Sequence, residues 1–350
     1  MHLRKLICIM LLLAIVLVPF SGLGDLDAVF LNVGQGDSTL VMCDGDVMLI
    51  DGGTRRSSQY LYSVIRELGI ERINYIIATH PDSDHIGGIP AALEAAEVDT
   101  IFTPVWYSED ASFLILVRKA AEKNLPFTFP ITGESIRLGG ATVTFLAPLR
   151  QYGSTNNLSI VTRIDYGDTS MLFTGDAEYE GEADMLAQGW NLDADLLHVG
   201  HHGSKTSTSP LFLRAVHPSV GIISVGKDNP YGLPAEETLN ALKEAGVSVF
   251  RTDLHGLIIA HSDGNAISVE TEHMASEDEI YSSPTGRTSE RIIPQEESGS
   301  IVYIGNVKSM KFHYPTCAGV SSMSEKNKII IHSRKEAVAL GYEPCKQCQP

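Results

Sequence analysis

Basic residues, cysteines and long apolar runs are all scarce in this chain. The 26 Lys and Arg are outnumbered by 43 Asp and Glu, and a formal net charge of -17 argues against a surface that is basic throughout, as polyanion-binding proteins usually have. Five cysteines among 350 residues, with three in the last 34, do not make the framework of a disulfide-rich secreted domain. Only the N-terminus has an apolar run approaching the length of a membrane span.

The first 24 residues have the pattern of a secretory signal. Arg4 and Lys5 precede an apolar run from Leu6 to Phe20, and the small residues of Ser21–Gly24 follow it. At about fifteen residues the run is short for a membrane span of roughly twenty. We therefore expect a signal peptide at 1–24 and a secreted or extracytoplasmic protein, with a membrane-anchored protein as the alternative if the signal is not cleaved.

Composition divides the remaining chain into three parts. Residues 25–272 carry most of the apolar content and are long enough to bury a large core. Residues 273–300 are rich in Ser, Glu, Asp, Pro and Thr, which predicts a flexible linker. Residues 301–350 are a separate small module with seven Lys or Arg and three Glu, so this segment is +4. Any contact with a polyanion that depends on positive charge is expected there.

Short strands and helices alternate in two similar halves of residues 25–272. Apolar runs such as Asp27–Val33 and Ser170–Thr174 predict strands, whereas Leu61, Val64 and Leu68 have the spacing of one helical face. The alternation predicts an α/β fold in which helices cover the outside of a layered sandwich of sheets.

Four metal-competent side chains follow the apolar run Tyr75–Ala78. His80, Asp82, Asp84 and His85 all lie within six consecutive residues. Imidazole nitrogens and carboxylate oxygens together suit zinc, manganese or iron, so the cluster predicts a metal site at the end of a strand. The alternative is a polar loop whose aspartates cap a helix.

Three more predicted strands end in residues of ligand type beside a glycine turn. Asp51 precedes Gly52-Gly53, Asp176 closes Thr174-Gly175-Asp176, and His201 and His202 precede Gly203. Each alone is an ordinary loop residue. Their recurrence predicts that loops at the strand ends return these side chains to one place.

The C-terminal module has a second pattern of metal ligands. His313 and Cys317 are separated by three residues and Cys345 and Cys348 by two, with 27 residues between the pairs. This spacing predicts one structural zinc ion, which would also stabilise a module too small for a large core. The alternatives are reduced thiols or one disulfide.

The motifs of residues 27–272 resemble those of the metallo-β-lactamase fold and, within it, the extracellular hydrolase domain of the ComEC competence protein. The resemblance implies a four-layer αβ/βα metallo-β-lactamase sandwich with the active site on one edge of its two sheets. The matching segments are Asn32–Ser38, Ile50–Gly53, Thr79–Gly88, Asn156–Ser159, Thr174–Asp176 and Val199–Ser207.

The same resemblance implies two divalent metals. His80 and Asp82 correspond to ligands of one ion, Asp84 and His85 to ligands of the other, and Asp176 to the carboxylate that bridges both. Asp82 stands where many members have histidine, and the extra oxygen favours manganese over zinc.

The remaining positions are assigned by resemblance too. His201 or His202 would close the second metal site, and we expect His201. Asn157 falls near a position that is often histidine, so the first metal would be held loosely. Asp51 resembles the acid behind the ligands that orients them.

Two metals that activate a water suit phosphodiester hydrolysis. Asp84 is therefore predicted to be catalytic as well as a ligand, and Lys205 is predicted to hold a phosphate oxygen, although a solvated loop is an equal alternative. Leu233 replaces a histidine that usually assists the leaving group, and His255 is the predicted substitute.

The segment Gly341–Cys348 resembles the zinc-binding domain of the Ada DNA-repair protein. His313 stands where that family has its methyl-accepting cysteine, so zinc binding and DNA contact are expected without methyl transfer. The predicted function is an exported DNA phosphodiesterase, or nuclease, that lacks the transmembrane channel of complete competence proteins. The alternatives are a hydrolase of small phosphoesters, amides or lactams, and a DNA-binding or interaction protein whose site has degenerated at Asn157 and Leu233.

Overall fold

A computed structural model describes residues 25–283 and, near the C-terminus, residues 303–313, 317, 320, 323–324, 327–331, 337 and 342–345. The chain divides into two compact units, residues 1–286 and 287–350. The predicted signal peptide lies outside the described residues. Among the residues that are described, no helix has the length and apolar character needed to cross a membrane.

The first unit contains two mixed sheets. Sheet I has eight strands in the order β15-β14-β1-β2-β3-β4-β5-β6, with β3 to β6 parallel and the others antiparallel to their neighbours. Its strands are β1 (Leu26–Phe30), β2 (Thr39–Cys43), β3 (Asp46–Ile50), β4 (Arg72–Ile77), β5 (Glu97–Phe102), β6 (Phe127–Thr128), β14 (Ile258–Ser262) and β15 (Ile267–Thr271).

Sheet II has seven strands in the order β13-β12-β11-β10-β9-β8-β7, with β10 to β13 parallel. Its strands are β7 (Ser135–Leu138), β8 (Ala141–Ala147), β9 (Val161–Tyr166), β10 (Thr169–Phe173), β11 (Leu196–His198), β12 (Val220–Ile223) and β13 (Ser248–Arg251). Each half of the chain thus builds a run of parallel strands whose carboxyl ends share one edge.

Helices cover the outer faces of both sheets. They are α1 (Ser58–Glu67), α2 (Ser83–Ile86), α3 (Ile89–Ala95), α4 (Ala111–Glu122), α5 (Tyr179–Gln188), α6 (Pro210–Val216), α7 (Glu236–Glu244), α8 (Thr252–His255) and α9 (Glu277–Ile280), with short 3-10 turns at Arg55–Ser57, Asn156–Leu158 and His201–Gly203.

Three apolar layers hold the four structural layers together. Val29 and Leu31 of the first strand region face helices α1, α3 and α4, whereas Ala28 and Phe30 point the other way and pack against Phe173 and other residues of sheet II. A third cluster joins sheet II to α5, α6 and α7. This alternation follows from the two-residue period of a strand buried on both faces. The predicted four-layer αβ/βα sandwich is confirmed.

Residues 273–283 differ from the linker predicted there. Ser276 and Glu279 form a reciprocal capping box at the start of α9, and Ile280 and Tyr281 pack against the apolar layer outside sheet II. Arg251 donates to the carbonyl oxygens of Ile280 (2.9 Å) and Ser282 (2.7 Å). A buried guanidinium needs such acceptors. These hydrogen bonds and the two apolar side chains hold residues 273–283 against the first unit, although most of the segment is polar.

The described residues of the second unit form a four-stranded sheet in the order β18-β16-β17-β19. Its strands are β16 (Tyr303–Asn306), β17 (Lys311–His313), β18 (Lys328–Ile331) and β19 (Glu343–Pro344). Tyr303, Phe312 and Ile331 form its small core.

Candidate metal centre

The predicted ligands meet at the edge of the first unit where parallel strands of both sheets end. Asp51 directly follows β3 and His80 follows β4 in sheet I, whereas Asp176 follows β10 and His202 follows β11 in sheet II. Hydrogen bonds tie these strand ends together, including Asp51 N to the Ile77 carbonyl oxygen (2.9 Å). Parallel pairing thus brings together side chains that are far apart in the sequence.

A buried group of donors forms the centre of this edge. Asp37, His85, Asp176 and His202 each offer a ligand atom, and these atoms all lie within 4.8 Å of one another. Among the described residues, five buried polar atoms around the centre have no hydrogen-bond partner: Asp37 Oδ1, His80 Nε2, His85 Nε2, Asp176 Oδ1 and His202 Nε2. Buried polar atoms are rarely left unpaired, so a group of this kind points to an ion or water between them.

Asp51 fixes the orientation of His85. Its Oδ1 accepts from the Thr79 backbone N–H (2.8 Å), and its Oδ2 accepts from the Thr79 hydroxyl (2.6 Å) and lies 2.8 Å from His85 Nδ1. Because a carboxylate only accepts, His85 donates from Nδ1, and Nε2 is the ring nitrogen that faces the centre. This arrangement matches the orienting acid predicted at Asp51.

In His202 and His80, as in His85, Nδ1 contacts the surrounding protein and Nε2 faces the centre. His202 Nδ1 lies 2.9 Å from the Ser224 carbonyl oxygen, which can only accept. His80 Nδ1 lies 3.1 Å from the Thr79 hydroxyl and 3.4 Å from the Ser159 hydroxyl. In each ring the Nδ1 contact leaves Nε2 turned toward the centre.

Asp176 lies between two sets of donors. On one side His80 Nε2 is 3.8 Å from both Asp82 Oδ2 and Asp176 Oδ2. On the other, His85 Nε2 is 3.2 Å from Asp176 Oδ1, and His202 Nε2 is 3.4 Å from Asp84 Oδ2. A carboxylate in this position can be shared between two cations.

The two neighbouring histidines differ in their surroundings. The side chain of His202 is 2% exposed and belongs to the buried group, whereas that of His201 is 24% exposed. His201 Nε2 lies 3.7 Å from Asp176 Oδ2, and its Nδ1 lies 3.2 Å from the Thr206 hydroxyl. His202 Nε2 lies at a similar distance from Asp176 Oδ2, 3.8 Å, but also 3.4 Å from Asp84 Oδ2. The geometry thus favours His202 rather than the expected His201 beside Asp84 and His85.

Asp37 belongs to the centre although sequence reasoning did not single it out. Its carboxylate is buried, and Oδ1 lies 3.1 Å from His202 Nδ1. Gly36 has a φ of +137°, and a Cβ there would collide with the Asp84 carbonyl oxygen, so the turn that delivers Asp37 requires glycine. The sequence does contain a pattern that could have indicated Asp37: an apolar strand, a glycine turn and then an aspartate, as at Asp176.

Asn157, predicted as a loosely held ligand, is a helix cap instead. Its Oδ1 accepts from the backbone N–H groups of Glu178 (2.9 Å) and Gly181 (3.1 Å) at the start of α5. The unpaired N–H groups of a first helical turn explain this direction. The preceding Asn156 is the one that faces the site, with Nδ2 3.5 Å from His201 Nε2.

Lys205, His255 and Leu233, the positions at which the sequence predicted substrate contact or leaving-group assistance or its loss, have different surroundings. Lys205 is exposed on the loop after His201 and His202, as a phosphate contact requires. His255 Nδ1 accepts from the Arg251 backbone N–H (3.0 Å) and its ring packs on Phe250, so the contacts described for it are local rather than directed at the centre. Leu233 donates its backbone N–H to Asn229 Oδ1 (3.0 Å).

Charges within the centre depend strongly on one another. Burial alone would raise the pKa of Asp37, but His198 and His202 lower it to about 2. Burial opposes a charged His85, yet Asp176 and Asp51 raise the pKa of its imidazole well above the ordinary value. Positive charge on the imidazoles thus stabilises the buried carboxylates, and divalent cations would stabilise them in the same way.

The second unit brings together three of its four predicted ligands. Ligand atoms of His313, Cys317 and Cys345 lie within 4.8 Å of one another, and all three residues are buried. Cys348 lies outside the described residues. One histidine and two thiols fit a zinc site that a fourth ligand would complete.

The residues of the first centre fit divalent metal ions. Three imidazoles present Nε2, the carboxylates supply oxygen, and within the part of the chain that the structure describes none of the three Nε2 atoms forms a hydrogen bond. Such a mixed set suits zinc and manganese. The fold and this site define a metal-dependent hydrolase.

Residues 31–227 match the family model of the metallo-beta-lactamase superfamily, and the chain belongs to that superfamily. Its relatives include ComE operon protein 3 of Bacillus subtilis, 30% identical in an alignment of 270 residues that covers 72% of this chain and 34% of the relative. Competence protein ComA of Neisseria gonorrhoeae is 32% identical, over 65% of this chain and 31% of that protein. Recombination protein 2 of Haemophilus influenzae is 33% identical, over 65% and 28%.

These comparisons confirm the predicted resemblance to ComEC-like competence proteins. The chain matches only about a third of the length of each relative. Membership of the superfamily therefore does not assign the activity or the partners of the complete relatives to this chain.

Proposed function

We propose that this protein is an exported phosphodiesterase that cleaves DNA by means of two divalent ions held on either side of Asp176. One observation supports it most: buried imidazole Nε2 atoms without partners converge on Asp176 from two directions. His80, Asp82 and His201 would hold one ion, and Asp84, His85 and His202 the other.

When bound, the ions would lower the pKa of a coordinated water and polarise the phosphoryl oxygen that it attacks. The chain's own residues prepare the site for that chemistry. Asp51 and the Ser224 carbonyl oxygen hold the tautomers of His85 and His202, and Asp37, one of the buried group, lies 3.1 Å from His202 Nδ1. Asp82 and Asp84 remain partly exposed, 41% and 32%, so the centre opens to solvent on their side.

Substrate contact would come from the same open side. Lys205 is exposed three residues after His202 and can approach a nonbridging phosphate oxygen. His255 is not part of this proposal, because the contacts described for its ring are with Arg251 and Phe250 rather than with the centre.

Two observations favour DNA over a small phosphoester. Two of the relatives are named as a competence protein and a recombination protein. The C-terminal segment is +4 in a chain of -17, as a module that holds a polyanion would be.

The test is an activity panel with the purified chain and added manganese or zinc. Labelled single- and double-stranded DNA, a chromogenic phosphodiester and a β-lactam are the substrates. We expect metal-dependent DNA cleavage that Asp176→Asn abolishes and Asp99→Asn, on the exposed end of sheet I, leaves unchanged. Cleavage of the small diester alone would contradict the DNA substrate, and DNA binding without cleavage would indicate an interaction protein.

A further inference from the structure

Two loops beside the metal centre expose large aromatic side chains. Trp106 is 83% exposed, Tyr107 is 62% exposed and Tyr231 is 69% exposed. Aromatic rings of this size usually contribute buried area, and their exposure near a site is a mark of binding surfaces.

The loop with Trp106 and Tyr107 leaves sheet I next to His80. Strands β4 and β5 are parallel, with Ile77 opposite Phe102, and the Ala78 N–H donates to the Phe102 carbonyl oxygen (2.9 Å). His80 is thus three residues beyond one strand and Trp106 four residues beyond its neighbour. Asp110 caps α4 through the Ser112 N–H (2.6 Å), which fixes the far end of the loop.

The loop with Tyr231 is anchored at both ends to residues next to the centre. Its first residue, Gly226, donates to Gln35 Oε1 (3.1 Å), two residues before Asp37. At its other end Ala235 donates to the Gly203 carbonyl oxygen (2.9 Å), directly after His202. The loop that carries the exposed Tyr231 therefore begins and ends beside the centre.

Exposed basic residues accompany these loops without dominating them. Arg55, Arg56, Lys205 and Lys227 lie on the same edge, and within the described residues none of them forms an ion pair. Glu109 and Asp228 are exposed in the aromatic loops themselves. The charge at this edge is therefore mixed, and the exposed aromatic rings distinguish it more clearly than its charge does.

We propose that Trp106, Tyr107 and Tyr231 position single-stranded DNA by stacking on unpaired bases beside the metal centre. This inference rests on the proposed function and narrows its substrate. Every base offers a flat face to an aromatic ring, so such binding tolerates any sequence. A duplex keeps its base faces stacked internally, so it cannot use these rings without being opened. The basic residues on the same edge would contact the backbone phosphates.

The natural fluorescence of Trp106 reports on this contact. The chain has two tryptophans, so Trp190→Phe in the full-length protein leaves Trp106 as the only one. Oligothymidylate, added without divalent metal, is expected to quench it, whereas a hairpin duplex of the same charge is not. Tyr231→Ala in that background should weaken oligothymidylate affinity by about 5- to 150-fold, the range for loss of one stacked base.

The control is Tyr62→Ala, on α1, which should leave both quenching and affinity unchanged. Unfolding temperatures of all variants establish that the fold is retained. Equal quenching by duplex and single strand, or unchanged affinity in Tyr231→Ala, would overturn the inference. Quenching without any cleavage after manganese is added would uphold the stacking surface while refuting the proposed nuclease, so the two failures are distinguishable.

Discussion

Replacing Asp51 with asparagine changes one atom at the position that orients His85. Asp51 is fully buried and accepts from the Thr79 N–H (2.8 Å), the Thr79 hydroxyl (2.6 Å) and His85 Nδ1 (2.8 Å). Its φ of +56° lies in the left-handed region, which asparagine tolerates as well as aspartate does. The substitution therefore leaves the backbone unstrained and alters only the hydrogen bonding.

The two orientations of the new amide differ in their consequences. If the NH2 group takes the place of Oδ1, it faces the Thr79 N–H, a donor against a donor. If it takes the place of Oδ2, it faces the Thr79 hydroxyl, which can accept, and His85 Nδ1, which accepts only when the ring carries its proton on Nε2. A buried donor without an acceptor costs about 1–3 kcal/mol, and we expect unfolding to become easier by that amount. In the second orientation His85 gains its proton on Nε2, the atom that faces the metal.

We expect the affinity for manganese to fall by about 10- to 100-fold, as is usual when a partner behind a metal ligand is lost. Titration calorimetry measures the affinity, and thermal unfolding with and without metal measures the stability. Asp99→Asn is the matched control, because Asp99 pairs with Arg72 at the surface, where ion pairs contribute little. Loss of stability with manganese affinity within twofold of wild type would refute the orienting role.

Three further predictions follow from the same geometry. His202→Ala should weaken metal binding more than His201→Ala, because only His202 belongs to the buried group, and equal losses in metal titrations would contradict this. His255→Phe should lower unfolding free energy by about 1 kcal/mol, through loss of the Arg251 N–H acceptor, without changing kcat on DNA; a large drop in kcat would restore the catalytic role predicted from the sequence. Cys345→Ser should remove one zinc per chain by metal analysis and loosen only the second unit, and unchanged zinc content would argue against a structural site there.

Much of the fold and of the site could be predicted from the sequence because both depend on strand ends. The apolar runs before Asp51, His80 and Asp176 mark parallel strands, whose carboxyl ends share an edge. Asp37 escaped notice because its strand, β1, is antiparallel to both neighbours and its side chain reaches the centre through a glycine turn.

Side-chain direction is the part that spacing alone did not reveal. Asn157 turns toward α5 because the N–H groups of that helix need an acceptor. His201 and His202 both have positive φ, 53° and 54°, and their rings lie at 66° to one another, so that the His202 ring is buried and the His201 ring is partly exposed. Residues 273–283 were predicted as linker because their composition is polar. Ile280 and Tyr281 nevertheless pack this segment against the apolar layer outside sheet II.

The most direct test of the account is anomalous diffraction from crystals of the manganese-loaded protein. We predict two manganese peaks in the first unit, one beside His80 and Asp82 and the other beside Asp84 and His202, with Asp176 between them. A single peak, or peaks away from Asp176, would contradict the central claim that this carboxylate is shared by a pair of ions.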